Sequence, residues 1–230
     1  MPDELVDHVA AIGALAEPTR RALYRYVATQ PAPVSREQAA QAVDLPLHTA
    51  KFHLDRLVED GLLEVEFRRL SGRSGPGAGR PSKLYRRSVR QFSVSLPERR
   101  YDLAGAVLAT AIDRSMQDGV PIAAAVRDAA TQAGHRLAAR HAEDGGDGGL
   151  ERTMGVLARH GYEPQVSGAR VRLANCPFDR LAADHTDLVC GLNFALITGV
   201  VEELGISDVR PELAPEAGYC CVQLRERSPE

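Results

Sequence analysis

Between Ser35 and Ser88 the hydrophobic period changes twice, and few folds accommodate both changes. Ser35 followed by Gln38 is a capping pair: the serine hydroxyl accepts the Gln38 N–H while the glutamine reaches back, with Val34 and Ala39 at the flanking apolar positions. A short helix is therefore expected from Arg36 to about Val43. Asp44-Leu45-Pro46 ends it, because proline is tolerated at a first helical position but not inside a helix, so a second helix should begin near Pro46. Along it Ala50, Leu54, Leu57 and Val58 recur at i, i+4, i+7 and i+8, a single buried stripe. Gly61 stops that helix. Leu62 to Arg69 and Arg80 to Arg87 then read as two arms of a β-hairpin around a tip, Ser71 to Gly79, rich in glycine and serine.

The hairpin is strongly cationic in a chain that is not. From Leu62 to Arg90 there are eight basic and two acidic residues, whereas the whole chain carries a net charge of −3. A local excess of positive charge on an acidic protein suits phosphate binding, in which each neutralised phosphate releases counterions and affinity depends on salt. The alternative is a solvated surface hairpin. Arg68, Arg73, Arg80 and Lys83 are the candidate wing contacts. Arg80, fixed between Gly79 and Pro81, suits a narrow A·T-rich minor groove, where the potential is most negative. On the second helix His48, Thr49, Lys51 and Phe52 project away from the buried stripe near the N-terminus, the place from which a helix reads base edges.

These residues resemble the ArsR-type winged helix-turn-helix repressors over about Leu15 to Ser88. The resemblance rests on Leu15-Ala16-Glu17-Pro18-Thr19-Arg20-Arg21, on His53-Leu54-Asp55-Arg56-Leu57 with Glu59-Asp60-Gly61-Leu62-Leu63, and on Gly79-Arg80-Pro81-Ser82-Lys83-Leu84-Tyr85. It implies a homodimer on a double-stranded DNA operator. Two metal sites of that family have no counterpart here: there is no cysteine between Ser35 and Val43 and no histidine between Pro97 and Asp118. Any metal sensing is expected elsewhere in the chain.

At 230 residues two domains are expected rather than one. The reading is an α+β protein: a winged helix-turn-helix domain over residues 1–92, central dimerisation helices over 93–142, and an α/β sensor domain over 150–230. The acidic start, Met1-Pro2-Asp3-Glu4, is unlike a secretory leader, and the apolar run from Val189 to Val201 is too short to span a bilayer, so a cytoplasmic protein without membrane attachment is expected. Ser95 and Glu98 form a second capping pair. Tyr101, Ala104, Leu108, Ala111, Ile112 and Ser115 then follow at helical spacing to Gly119, a stripe suited to a partner helix or to an intrachain core. Another helix is expected from Pro121 to about His141, and Glu143 to Gly149 has a linker composition. From His141 onward fifteen acidic and eight basic residues make this part unsuited to DNA and better suited to sensing or association. It reads as a helix from Leu150 to His160, a hairpin from Tyr162 to Leu173, a short helix after Pro177, a long helix from Thr186 to Leu204 and a last strand from Tyr219 to Leu224.

All four cysteines, Cys176, Cys190, Cys220 and Cys221, lie in this last part. In a leaderless DNA-binding chain they are expected as reduced thiols, candidates for metal or redox chemistry before disulfides. They fall at the ends of separate elements. With Thr186 as N-cap of the long helix, His185 and Cys190 would meet as its flanking pair, and a helix N-terminus favours the thiolate that ligates metal. Alternation along the last strand turns Cys220 and Cys221 to opposite faces, with Cys220 favoured inward. The alternative is that all four fill core.

The run Asn175-Cys176-Pro177-Phe178, then Leu188-Val189-Cys190, then Cys220 before an apolar strand, resembles the sensory half of SufR-type repressors. The resemblance implies Cys176, Cys190 and Cys220 as ligands of an iron–sulfur cluster. Cys221 and His185 depart from that pattern, and with His185 as a fourth donor the set suits Zn instead. The expected function is a DNA-binding transcription regulator, a repressor, whose operator binding follows a cysteine-ligated metal or iron–sulfur cluster. A winged-helix regulator of a small organic effector, with structural zinc or core cysteines, is the alternative. An enzyme using Cys190 as nucleophile and His185 as base lacks a third orienting residue, so no enzymatic activity is expected.

Overall fold

A computed structural model describes residues 4–69, 81–141 and 148–226, which divide into two compact units, Met1–Val94 and Ser95–Glu230. In the first unit α1 (Glu4–Ala14) and α2 (Pro18–Thr29) precede β1 (Val34–Ser35), α3 (Arg36–Ala42), α4 (Leu47–Glu59), β2 (Leu63–Arg68) and β3 (Ser82–Arg87). The capping pair forms as the sequence requires: Gln38 N–H donates to Ser35 Oγ at 3.2 Å and Ser35 N–H to Gln38 Oε1 at 2.8 Å. Asp44 takes a positive φ of 51°, which reverses the chain between α3 and α4. Ala50, Leu54 and Leu57 are fully buried against Leu23, Val27 and Tyr85 in one core. The sheet order is β1-β3-β2, antiparallel throughout, with Leu63 opposite Arg87 and Phe67 opposite Lys83. The tip, including Arg73 and Arg80, lies outside the described residues.

The second unit begins with α5 (Tyr101–Asp118) and α6 (Ile122–Ala139), then α7 (Gly149–Ala158), β4 (Pro164–Ser167), β5 (Arg170–Leu173), α8 (Asp179–Asp184), α9 (Thr186–Glu203), β6 (Val209–Leu213) and β7 (Val222–Glu226). The helix expected to start at the Ser95–Glu98 pair starts instead at Tyr101, because the Ser95 hydroxyl donates to the Pro97 carbonyl rather than capping. Gly119, with φ 68°, ends it as expected. Ala104, Val107 and Ala111 of α5 are buried and belong to the same core as α6 and α9, so the central helices are part of the C-terminal unit's packing. Tyr101, Ile112 and Met116 stay exposed. The four-stranded sheet runs β4-β5-β7-β6, all antiparallel. Its edge strand β6 was illegible because Arg210-Pro211-Glu212 carries the proline and charges tolerated at an unpaired edge.

Helices α6 and α9 cross at two glycines. A Cβ at Gly134 would overlap the Leu196 carbonyl oxygen and one at Gly199 the Thr131 carbonyl oxygen. Backbone-to-backbone approach of this kind admits no side chain, so Gly199→Ala is expected to lower stability by about 1–3 kcal/mol through overpacking, measured by urea unfolding; an unchanged midpoint would contradict the close crossing.

His160, just past α7, is buried, and its Nδ1 lies 3.2 Å from Arg100 Nη1. Because the guanidinium only donates, Nδ1 must accept and the imidazole is neutral. Burial first, and then the charges of Arg100, His141, Arg140 and Arg159, hold its pKa at about 4 against an ordinary 6.5. The unfolded chain therefore binds more protons between these values, and the second unit should lose about 1–2 kcal/mol as pH falls through that window. His160→Gln should flatten this dependence in urea unfolding at pH 7 and 5; an equally steep variant would remove His160 as its cause.

Candidate nucleic-acid interface and cysteine cluster

The face of α4 away from the core carries His48, Lys51 and Phe52, all exposed, with Phe52 66% accessible, while Thr49 is half-buried beside them. The Phe52 ring meets the His53 ring edge-on at a centroid distance of 5.2 Å, and most of it is still left in water, unusual for so large an apolar group. Together with Arg20 and Asp55, His48, Lys51 and Phe52 line one groove of ≈ 670 Å³. Arg20 comes from α2, and its role was not visible in sequence patterning because it depends on how α2 crosses α4. That crossing is held by Glu17. Its carboxylate accepts the backbone N–H groups of Thr19 at 2.9 Å and Arg20 at 2.6 Å and stands 3.7 Å from His53 Nδ1 on α4. Burial opposes its ionisation, but those backbone bonds outweigh it and bring the pKa down to about 2.

The wing is braced onto α4 through Asp55. Lys83 Nζ lies 2.5 Å and the Tyr85 hydroxyl 2.9 Å from the same Asp55 oxygen, so both residues of β3 donate to one carboxylate of the reading helix. Burial raises the Asp55 pKa, and the Lys83 and Tyr85 bonds more than offset it, leaving the carboxyl below its ordinary value. Burial and that carboxylate push the Tyr85 phenol up. Lys83, expected as a wing contact, is thus engaged in holding the wing. Arg68 pairs with Glu66 at 3.6 Å and Arg86 with Glu64 at 2.7 Å, whereas Lys51, Arg69 and Arg87 carry no ion pair among the described residues.

In the second unit the cysteines form two pairs. Cys190 of α9 and Cys221 are joined by a disulfide with a Cα–Cα distance of 6.3 Å, which corrects the expectation of four reduced thiols. Cys176 and Cys220 remain free thiols: the influence of Cys176, with burial, holds the Cys220 thiol far above its usual range, while that of Cys220 holds the Cys176 thiol below its own, against the effect of burial. The expected trio of Cys176, Cys190 and Cys220 is thereby divided between pairs. The reason lies before β7, which begins only at Val222 and leaves Cys220 and Cys221 in a bend where strand alternation does not apply. Cys220 N–H donates to Leu173 O at 2.8 Å, laying this bend along the end of β5, and Asn193 Nδ2, one turn beyond Cys190, donates to Cys220 Sγ at 3.1 Å. The buried Tyr162 hydroxyl fixes the Asn193 amide from its other side.

His185 is not part of this cluster. The helix begins at Thr186, whose hydroxyl donates to Ala182 O at 2.8 Å, so His185 is itself the N-cap, exposed, and the flanking contact with Cys190 does not form. With Cys190 and Cys221 bonded to each other, no three His, Cys, Asp or Glu side chains among the described residues are arranged to hold a metal ion.

Residues 15–66 match the family described as a helix-turn-helix domain. No curated protein and no solved structure matches the chain. The matched span covers α2, α3, α4 and the start of the wing, and it supports a DNA-binding transcription regulator. No described helix is long and apolar enough to cross a membrane.

Asp55→Asn should weaken the bond to Lys83 and lower stability by about 1 kcal/mol. Amide exchange across Ser82–Arg87 should quicken with it; exchange as slow as in the parent chain would show that the wing is held by other means.

Proposed function

We propose that this protein is a cytoplasmic repressor that binds operator duplexes as a homodimer, with affinity set by a metal ion or iron–sulfur cluster on its C-terminal cysteines. The observation that carries the DNA-binding half is the exposed face of His48, Lys51 and Phe52 beside a wing fixed through Asp55. A helix presented this way can enter a major groove with its N-terminal residues toward base edges, while Arg68, Arg69 and Arg87 meet phosphates. Fixing the wing to the helix sets the spacing of the two contacts before DNA arrives, so less ordering is needed on binding.

The regulatory half rests on the donor set. Cys190 of α9 is bonded to Cys221 of the bend, Cys220 precedes it, and Cys176 lies three residues past β5; such sulfurs are the soft ligands that select zinc or iron–sulfur groups. Cys176, Cys190 and Cys220, with Cys221 beside them, would hold the group, which would supply a crosslink among those elements. His185 does not fit. Residues of this chain would carry the effect onward: α9 meets α6 at Gly134 and Gly199, where no side chain cushions a shift, and α6 packs on α5. The exposed Tyr101, Ile112 and Met116 of α5 suit a second copy of the chain.

The DNA-binding reading is tested by selecting duplexes from a random pool and measuring their affinity against salt. Lys51→Ala should weaken binding and reduce the log–log salt slope by about 0.9, the effect of one phosphate contact. A pool that never enriches, or a variant indistinguishable from the parent, would contradict it.

A further inference from the structure

The groove along α4 has two unlike ends. Toward the N-terminus of the helix Lys51, and Arg20 from α2, bring positive charge, with His48 beside them. Toward the C-terminus the carboxylates are engaged: Asp55 accepts from Lys83 at 2.5 Å and from Tyr85 at 2.9 Å, and Glu59 pairs with Arg56 at 3.3 Å. Between the two ends stands Phe52, one turn from both His48 and Arg56 and largely exposed. Its ring meets the His53 ring edge-on at 5.2 Å. His53 is itself half-buried, with Nδ1 3.7 Å from Glu17, the residue that caps α2. The apolar ring is thus presented outward from a braced neighbour.

Each base edge in a major groove asks for a particular partner. Adenine is met by the paired donor and acceptor of asparagine or glutamine, and α4 contains neither. The cytosine amino group needs a carboxylate, and Asp55 and Glu59 already have partners. The guanine acceptors suit Lys51. Thymine alone presents a C5-methyl group, which is met by apolar contact. The charges beside the ring favour a duplex over an apolar protein groove. A hydrophobic partner would have to desolvate Lys51 and Arg20 along with Phe52, whereas phosphates flanking the base accept both. From this arrangement we infer that Phe52 is a specificity-determining residue that reads the C5-methyl group of one thymine per protomer. The inference rests on the DNA-binding reading of α4 and names the base that its exposed ring selects. The contact removes apolar surface from water and makes no hydrogen bond, so it adds sequence preference without adding to the salt slope that Lys51 sets.

The full-length protein is bound to its selected duplex at fixed salt, and each thymine in turn is replaced by deoxyuridine, which keeps every hydrogen-bonding group and lacks only the methyl. One position is expected to lose affinity by about fourfold, the effect of one buried methyl-sized group. At that position Phe52→Ala should bind the thymine and deoxyuridine duplexes equally, and a cytosine placed there should bind the parent chain more tightly once it carries a 5-methyl group. The inference is overturned if a duplex bound with the expected salt slope contains no thymine sensitive to loss of its methyl, or if the sensitivity persists in Phe52→Ala. Binding by Phe52→Ala as tight as that of the parent would also overturn it and assign the ring to a protein partner. The deoxyuridine scan uses the parent chain, so it decides even without the variant. A random pool that never enriches is a different outcome: it removes the DNA-binding reading itself, and the inference with it.

Discussion

One carboxylate, Asp55, joins the two parts of this molecule that face outward toward a duplex. It projects from α4 one turn beyond Lys51 and Phe52 and accepts from both Lys83 and Tyr85 of the wing. Tyr85 is itself fully buried against the core that Leu54 and Leu57 build from the other side of α4. Burial on one face and a shared carboxylate on the other fix the helix and the hairpin as a single rigid reader. Without it, the exposed cations and the Phe52 ring would belong to two elements free to move apart.

The same economy governs the second unit. A bend of two cysteines before β7 is held to β5 by a backbone bond and to α9 by sulfur, so one short segment ties two elements together. The crossing of α6 on α9 through glycines makes α9 a stiff partner, since carbonyl groups rather than flexible side chains form the contact. A chemical change at the cysteines therefore meets packing with little slack, the condition under which small displacements shift whole elements rather than dissipate.

Local chemistry made much of the fold legible. The Ser35–Gln38 pair, the break at Asp44–Pro46, the stripe of Ala50, Leu54 and Leu57, and the glycine stop at Gly119 each express a rule acting within a few residues. Tertiary pairing escaped it. Lys83 looked like a free wing cation because its partner, Asp55, is distant in sequence. His185 and Cys190 are flanking positions only for a helix capped by Thr186, and α9 is capped one residue earlier, by His185 itself. Cys221 ranks behind Cys220 only while strand alternation holds, and it does not hold in the bend. In each case a local rule was applied one or two residues beyond the element that enforces it, or a partner could be supplied only by the fold.

The proposed regulation couples the C-terminal sulfur atoms to the reading helix and its wing. It is tested most directly by the affinity of one preparation for one selected duplex at fixed salt, first reduced and metal-loaded, then with Cys190 and Cys221 joined by a disulfide. The two states should differ by at least about tenfold, a coupling of about 1.4 kcal/mol. Equal affinity in both states would contradict it.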